Sequence, residues 1–93
     1  MVEVNEYYEG RVKSLTVNSS EGRKTVGVME PGEYEFNTKT KETVTVIDGE
    51  MSVYFDEYKE WEEFGNGASF DIPSKSMLRV RVAKDTAYLC EYE

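Results

Sequence analysis

Histidine is absent from the 93 residues, and the chain has one cysteine, two prolines and one tryptophan. Without an imidazole there is no His-based catalytic triad, no His-ligated metal and no His pH switch. The lone Cys90 has no partner for an internal disulfide, so the chain does not read as a stapled secreted scaffold. Cations are also scarce: 11 Lys and Arg stand against 19 Asp and Glu, for a formal net charge of −8. That balance argues against nucleic acid or an anionic membrane as the partner, because phosphate backbones and anionic lipids are held by basic surface. No apolar run approaches the roughly 18 residues that would read as a membrane span. The opening MVEVNEYYEG is acidic and is not a signal peptide by pattern.

The residues present are enough to fold. Hydrophobic residues make up 39% and aromatics 13%, too many for a disordered acidic chain. A length of 93 residues fits one domain, 1–93, with a modest core. The expectation is a small soluble cytoplasmic domain.

The dominant period is two. Val26 and Val28 alternate with small or polar residues, as do Tyr34 and Phe36, Val44 and Val46, and Met51, Val53 and Phe55. Phe70 and Ile72, then Leu78, Val80 and Val82, continue the pattern. Such alternation sends one set of side chains to a core face and the other outward. Turn residues interrupt at short intervals: Asn18 to Gly22, Pro31-Gly32, Asp48-Gly49, Gly65-Asn66-Gly67 and Pro73-Ser74. Asp48-Gly49 is read as a two-residue hairpin, since both residues tolerate positive φ. Asp56 to Glu63 is read as a hairpin connection followed by a short strand around Trp61. With no repeat, linker or sustained 3.6-residue pattern, the fold class is all-β, an antiparallel sandwich or barrel.

Two groups of turn residues resemble the cupin motifs, which implies a single-domain cupin-like β-barrel or jelly roll. Gly32 matches the opening glycine of the first motif; Glu42, six residues and Gly49 match its end. Gly67, five residues and Pro73 match the start of the second motif. The motif His positions fall instead on Phe36, Thr38 and Leu78. One carboxylate with Phe, Thr and Leu is not a transition-metal ligand set, so metal-dependent oxygenase or isomerase chemistry is not expected.

A longer resemblance spans most of the chain. The blocks Asn5-Glu6-Tyr7-Tyr8-Glu9-Gly10-Arg11-Val12-Lys13-Ser14, Val26-Gly27-Val28-Met29, Gly32-Glu33-Tyr34, Thr45-Val46-Ile47-Asp48-Gly49 and Tyr88-Leu89-Cys90-Glu91-Tyr92 resemble the small bacterial pyrimidine/purine nucleoside phosphorylases. The resemblance implies cleavage of purine and pyrimidine nucleosides by phosphate to a free base and ribose 1-phosphate. It implies nucleosides and phosphate as partners, and inorganic phosphate as co-substrate with no further cofactor. The different reading kept beside it is a non-catalytic cupin-like module that holds a nucleoside or sugar. A homodimer is expected on other grounds: the outward aromatic and cationic content of the last strands, and a core small enough to gain from association of sheet faces.

The residue candidates follow from that chemistry. Phosphorolysis passes through positive charge on the ribose ring, as glycoside hydrolysis does. Glu42 is the catalytic candidate for that charge or for the ribose hydroxyls, because it shares a face with Val44 and Val46, and an inward carboxylate is costly unless it is paired or used. Thr38 could bond ribose or phosphate, and Tyr34 and Phe36 could stack on a base; the other reading is an ordinary strand Thr and core aromatics, which is what most aromatics at strand spacing are. Lys75 and Ser76 in the loop after Pro73, with Arg79 on the next strand, are the phosphate candidates. If Leu78, Val80 and Val82 face inward, Arg79 and Arg81 face outward and serve a site only at an interface. Arg23 and Lys24 remain open. Cys90 reads as a buried structural thiol rather than a nucleophile, for it lacks an activating base.

Overall fold

The computed structural model describes residues 1–93 and contains ten strands and no helix. The strands are β1 (Val4–Tyr7), β2 (Val12–Ser19), β3 (Gly22–Met29), β4 (Gly32–Asn37), β5 (Glu42–Asp48), β6 (Glu50–Phe55), β7 (Glu60–Gly65), β8 (Ser69–Ile72), β9 (Met77–Val82) and β10 (Thr86–Tyr92). They form a six-stranded sheet, ordered β1-β2-β3-β10-β5-β8, and a four-stranded sheet, ordered β4-β9-β6-β7. Every pairing is antiparallel. The two sheets are not closed into one barrel; they make a jelly roll whose inner faces share one core.

Period-two alternation builds that core. Val44 and Val46 of β5, Met51, Val53 and Phe55 of β6, and Leu78, Val80 and Val82 of β9 are all buried. Phe70 and Ile72 of β8 and Tyr88 and Cys90 of β10 join them. The expected strand around Trp61 is β7, paired with β6 after a turn at Asp56–Lys59.

Two expectations fail, for physical reasons. Val26 and Val28 face outward, 40% and 49% exposed, while Thr25, Gly27 and Met29 face inward. The period on β3 is right and its phase is inverted. β3 pairs with β2, whose inward residues include Ser14. The Tyr88 ring lies against Gly27 and the Tyr92 hydroxyl against Thr25, so small and polar side chains fit this part of the inner surface and the β-branched ones are turned to the outside.

Asp48-Gly49 is not a two-residue hairpin. β5 and β6 lie in different sheets, so the chain turns a corner between layers there. Gly49 has φ 119°, and a Cβ on it would lie 2.5 Å from Thr86 Oγ1. Asn66 fastens the corner: its side-chain oxygen accepts from the Gly49 amide at 2.7 Å and its amide donates to Asp48 at 3.3 Å. The sequence signal for positive φ is real, but a sheet-crossing corner uses the same residues as a hairpin.

Candidate functional site

A cavity of about 660 Å³ opens between the two sheets. Its walls are mostly apolar and aromatic: Phe36 of β4, Val44 of β5, Met51 of β6, Phe70 of β8, Leu78 of β9 and Tyr88 of β10. Tyr7 at the end of β1 also lines it, with its ring edge-on to Phe36 at 6.4 Å. Phe36 and Leu78, at two of the positions where the cupin motifs carry His, are both on this wall.

The polar groups converge on one side, where β3, β10 and β5 run adjacent. Glu42 starts β5 and is half-buried; its register partner on β10 is Tyr92, and Cys90 pairs with Val44. Because alternate residues share a face, Glu42, Cys90 and Tyr92 meet in the cavity. Cys90 Sγ donates to Glu42 Oε1 at 3.2 Å. The Tyr92 hydroxyl lies 3.5 Å from Thr25 Oγ1, and the Arg23 guanidinium sits over the Tyr92 ring, 4.5 Å from its centre. Lys39 is the second cation on the cavity wall.

Burial sets the protonation states here. It raises Glu42 above the ordinary carboxylate range, against the Cys90 hydrogen bond and the Arg23 charge, which both favour the carboxylate. The Cys90 thiol is pushed up to about 12, by burial first and then by Glu42. Tyr88 is pushed up to about 12 and Tyr92 is raised as well, in both cases chiefly by burial. At neutral pH Cys90 is therefore a thiol and not a nucleophile. No three His, Cys, Asp or Glu side chains converge anywhere in the chain.

Of the residues singled out from sequence, Glu42 and Phe36 are brought together in the cavity. Tyr34 is not with them: it is 2% exposed, and its hydroxyl donates to the Glu30 carbonyl at 2.6 Å. Thr38 is buried and ties two loops together, donating to the Pro73 carbonyl at 2.7 Å and accepting from the Ser76 amide at 3.0 Å. Lys75 and Ser76 line a separate hollow of about 270 Å³ shared with Asp56 and Glu57. Arg79 is on the outer face of the smaller sheet, 5.8 Å from the Tyr54 ring. Arg81 beside it is paired with Glu33 at 2.9 Å and lies 4.2 Å from the Trp61 ring centre.

Sequence reasoning missed Tyr7, Tyr88 and Tyr92 and took Cys90 as packing alone. The alternation Tyr88, Cys90, Tyr92 shows that the three share a face. Only the placement of β10 between β3 and β5 shows that the face meets Glu42.

The same chain can be set against known proteins. A family model described as pyrimidine/purine nucleoside phosphorylase matches residues 2–92. A protein of that name from Pseudomonas syringae pv. tomato is 47% identical over 92 residues, covering 99% of each chain. Another from Tolumonas auensis is 47% identical over 93 residues, covering 100% of each chain. Among solved structures, a Vibrio parahaemolyticus protein of unknown function superposes with a TM-score of 0.96 at 40% identity, covering 100% of this chain and 99% of its own. A cupin superfamily protein from Desulfitobacterium hafniense reaches a TM-score of 0.74 at 13% identity, covering 92% and 80%, which speaks for the shared fold alone. With the match running nearly end to end on both sides, this chain belongs to the pyrimidine/purine nucleoside phosphorylase family.

Proposed function

We propose that the cavity cleaves purine and pyrimidine nucleosides with inorganic phosphate, giving free base and ribose 1-phosphate, without a metal. The observation that carries this reading is a single half-buried carboxyl, Glu42, on the wall of an otherwise largely apolar cavity of about 660 Å³. Small-molecule sites of about 300–1,000 Å³ with few, convergent polar groups are the usual form. Aromatic walls suit both base classes, because every base presents a π-face and stacking is tolerant of identity. Arg23 is the cation best placed for phosphate: it borders the cavity, its stacking on Tyr92 orders it, and it makes no salt bridge. A guanidinium also matches phosphate oxygens in pairs. Metal independence follows from the ligands available, since a carboxyl beside Phe36 and Leu78 gives a transition metal too little to hold. No helix is long and apolar enough to cross a membrane, and the reading places the reaction in the cytoplasm.

The test is direct. Incubation with uridine and with inosine should release both bases and form ribose 1-phosphate only when phosphate is present, and a chelator should change nothing. Release without phosphate would make the protein a hydrolase. Stabilisation by nucleoside without any release would make it a binding module; a ligand at 100 times its dissociation constant adds about 2.7 kcal/mol.

The homodimer belongs to the same reading, and the inverted phase of β3 supplies its surface. Val4, Leu15, Val26 and Leu89 stand in one cross-strand row on the outside of β1, β2, β3 and β10. Val17, Val28 and Ile47 on the same sheet are also exposed. A contiguous outward apolar band marks an interaction surface, and a two-fold partner would meet it with its own copy. Sedimentation should show a dimer for the wild type and a monomer for Val26→Glu. A dimer that survives Val26→Glu would place the interface elsewhere.

A further inference from the structure

The two oxygens of the Glu42 carboxyl are not equivalent. Oε1 accepts the Cys90 thiol at 3.2 Å, and Oε2 has no hydrogen-bond partner within the protein. The carbonyl oxygen of a protonated carboxyl is a better acceptor than its hydroxyl oxygen, so with Oε1 accepting from the thiol the proton belongs on Oε2. That is the oxygen left to meet whatever fills the cavity.

Burial shifts the balance at Glu42 toward the protonated form. From β10, Cys90, Tyr92 and Tyr88 all face Glu42, and all are held in their neutral forms by burial. From β3, Arg23 pulls toward the carboxylate, but burial of Glu42 outweighs it. Tyr7, Lys39 and Glu93 complete the titratable groups on the cavity wall. No second carboxyl is hydrogen-bonded to Glu42 to share its proton.

We propose that Glu42 is the general acid for departure of the base, with Cys90 as the positioning residue that directs the donor proton to Oε2. The inference rests on the phosphorolysis reading. In the step, the bond from C1′ of the ribose to the base nitrogen breaks and its electron pair goes to the base. The Oε2 proton passes to the base atom that gathers this charge, a ring nitrogen of a purine or the carbonyl oxygen of a pyrimidine. An oxygen of hydrogen phosphate forms the new bond to C1′. Glu42, now a carboxylate, recovers a proton from the phosphate hydroxyl of the ribose 1-phosphate.

The experiment compares two nucleosides at saturating phosphate. Inosine needs a proton on its leaving base, whereas the base of 7-methylguanosine is already cationic and departs without one. Glu42→Gln should lower kcat/KM for inosine about 100-fold or more, in the range general acids supply, and for 7-methylguanosine less than about tenfold. The wild-type rate on inosine should fall as pH rises through the raised Glu42 titration, and that limb should vanish in Glu42→Gln. Cys90→Ala should move the limb to higher pH, because it removes a hydrogen bond that favours the carboxylate, and Cys90→Ser should restore it. Equal losses on both nucleosides, or a rate that rises with pH, would show Glu42 acting as an anion facing the ribose charge and would overturn the inference. A limb unmoved in Cys90→Ala would remove the positioning role. A wild type that cleaves neither nucleoside would overturn the phosphorolysis reading itself.

Discussion

Glu42→Gln is expected to cost phosphorolysis of inosine about 100-fold or more and, in the same protein, to raise the melting temperature at pH 8. Loss of function with gain of stability separates a working carboxyl from a structural one. The stability half follows from the titration. Burial raises the folded-state pKa of Glu42 above its value in the unfolded chain. Below the ordinary carboxylate range both states carry the proton, and the group contributes no pH-dependent penalty. As pH climbs from there through the raised folded value, the unfolded chain releases its proton first, so the folded state binds more protons and stability falls with pH. Above the folded value the penalty is complete and constant.

Glutamine keeps the shape and an oxygen for the Cys90 thiol, and it has no charge to bury. The difference in melting temperature, variant minus wild type, should therefore be small near pH 4 and grow toward pH 8. Melting curves at several pH values measure it. A variant that melts lower than wild type at pH 8 would mean that the ionised carboxyl is well satisfied in the folded protein, against the assignment of burial as the dominant influence.

The second large effect is structural and lies behind the same wall. Gly27 is inward-facing on β3, and its register partner on β10 is Tyr88. A Cβ there would lie 2.6 Å from the Tyr88 hydroxyl oxygen, 2.7 Å from its ring carbon Cζ and 2.8 Å from the Lys13 carbonyl oxygen. The backbone oxygen on β2 cannot swing aside as a flexible side chain would, and the Tyr88 ring is itself buried among the core residues. Overpacking of this kind costs about 1–3 kcal/mol. For a domain of this size each kcal/mol moves the midpoint by roughly 4–8 °C, so Gly27→Ala should melt well below the wild type. Tyr88→Leu in the same chain should recover part of the loss by taking away the ring. A Gly27→Ala protein as stable as the wild type would mean that β3 and β10 pack less tightly than the structure shows.

Much of this was legible in the sequence. On β5, β6, β8 and β9 the apolar residues face inward, onto the shared core and the apolar wall of the cavity, so alternation reports both their position and their phase. The same logic put Glu42 on the inner side with Val44 and Val46, where the structure has it. On β3 it misleads, because the Tyr88 ring and the Tyr92 hydroxyl of β10 crowd its inner side and leave room there for Gly27 and Thr25, while Val26 and Val28 form part of an outer apolar band. Apolar residues there satisfy a second surface, and a single sequence gives no sign of which surface is inside.

The surroundings of Glu42 were illegible for a different reason. Cys90 lies 48 positions away along the chain, and their contact depends on β10 being inserted between β3 and β5. Local pattern carries no information about that insertion. The cations show the same limit. Lys75 and Arg79 are well placed by motif and stand away from the cavity, while Arg23, beside a turn glycine with no motif to mark it, borders the cavity through its stacking on Tyr92.

The central claim is that the nucleoside and phosphate meet between the sheets, against Glu42. A crystal structure with phosphate and a non-cleavable C-nucleoside analogue of inosine tests it most directly. The account predicts the base atom that takes up the proton within hydrogen-bond distance of Glu42 Oε2, the base ring among Tyr7, Phe36 and Tyr88, and phosphate at the Arg23 guanidinium. The nucleoside bound instead at the hollow by Lys75 and Ser76, or on the outer face beside Arg79, with the cavity between the sheets left empty, would contradict it.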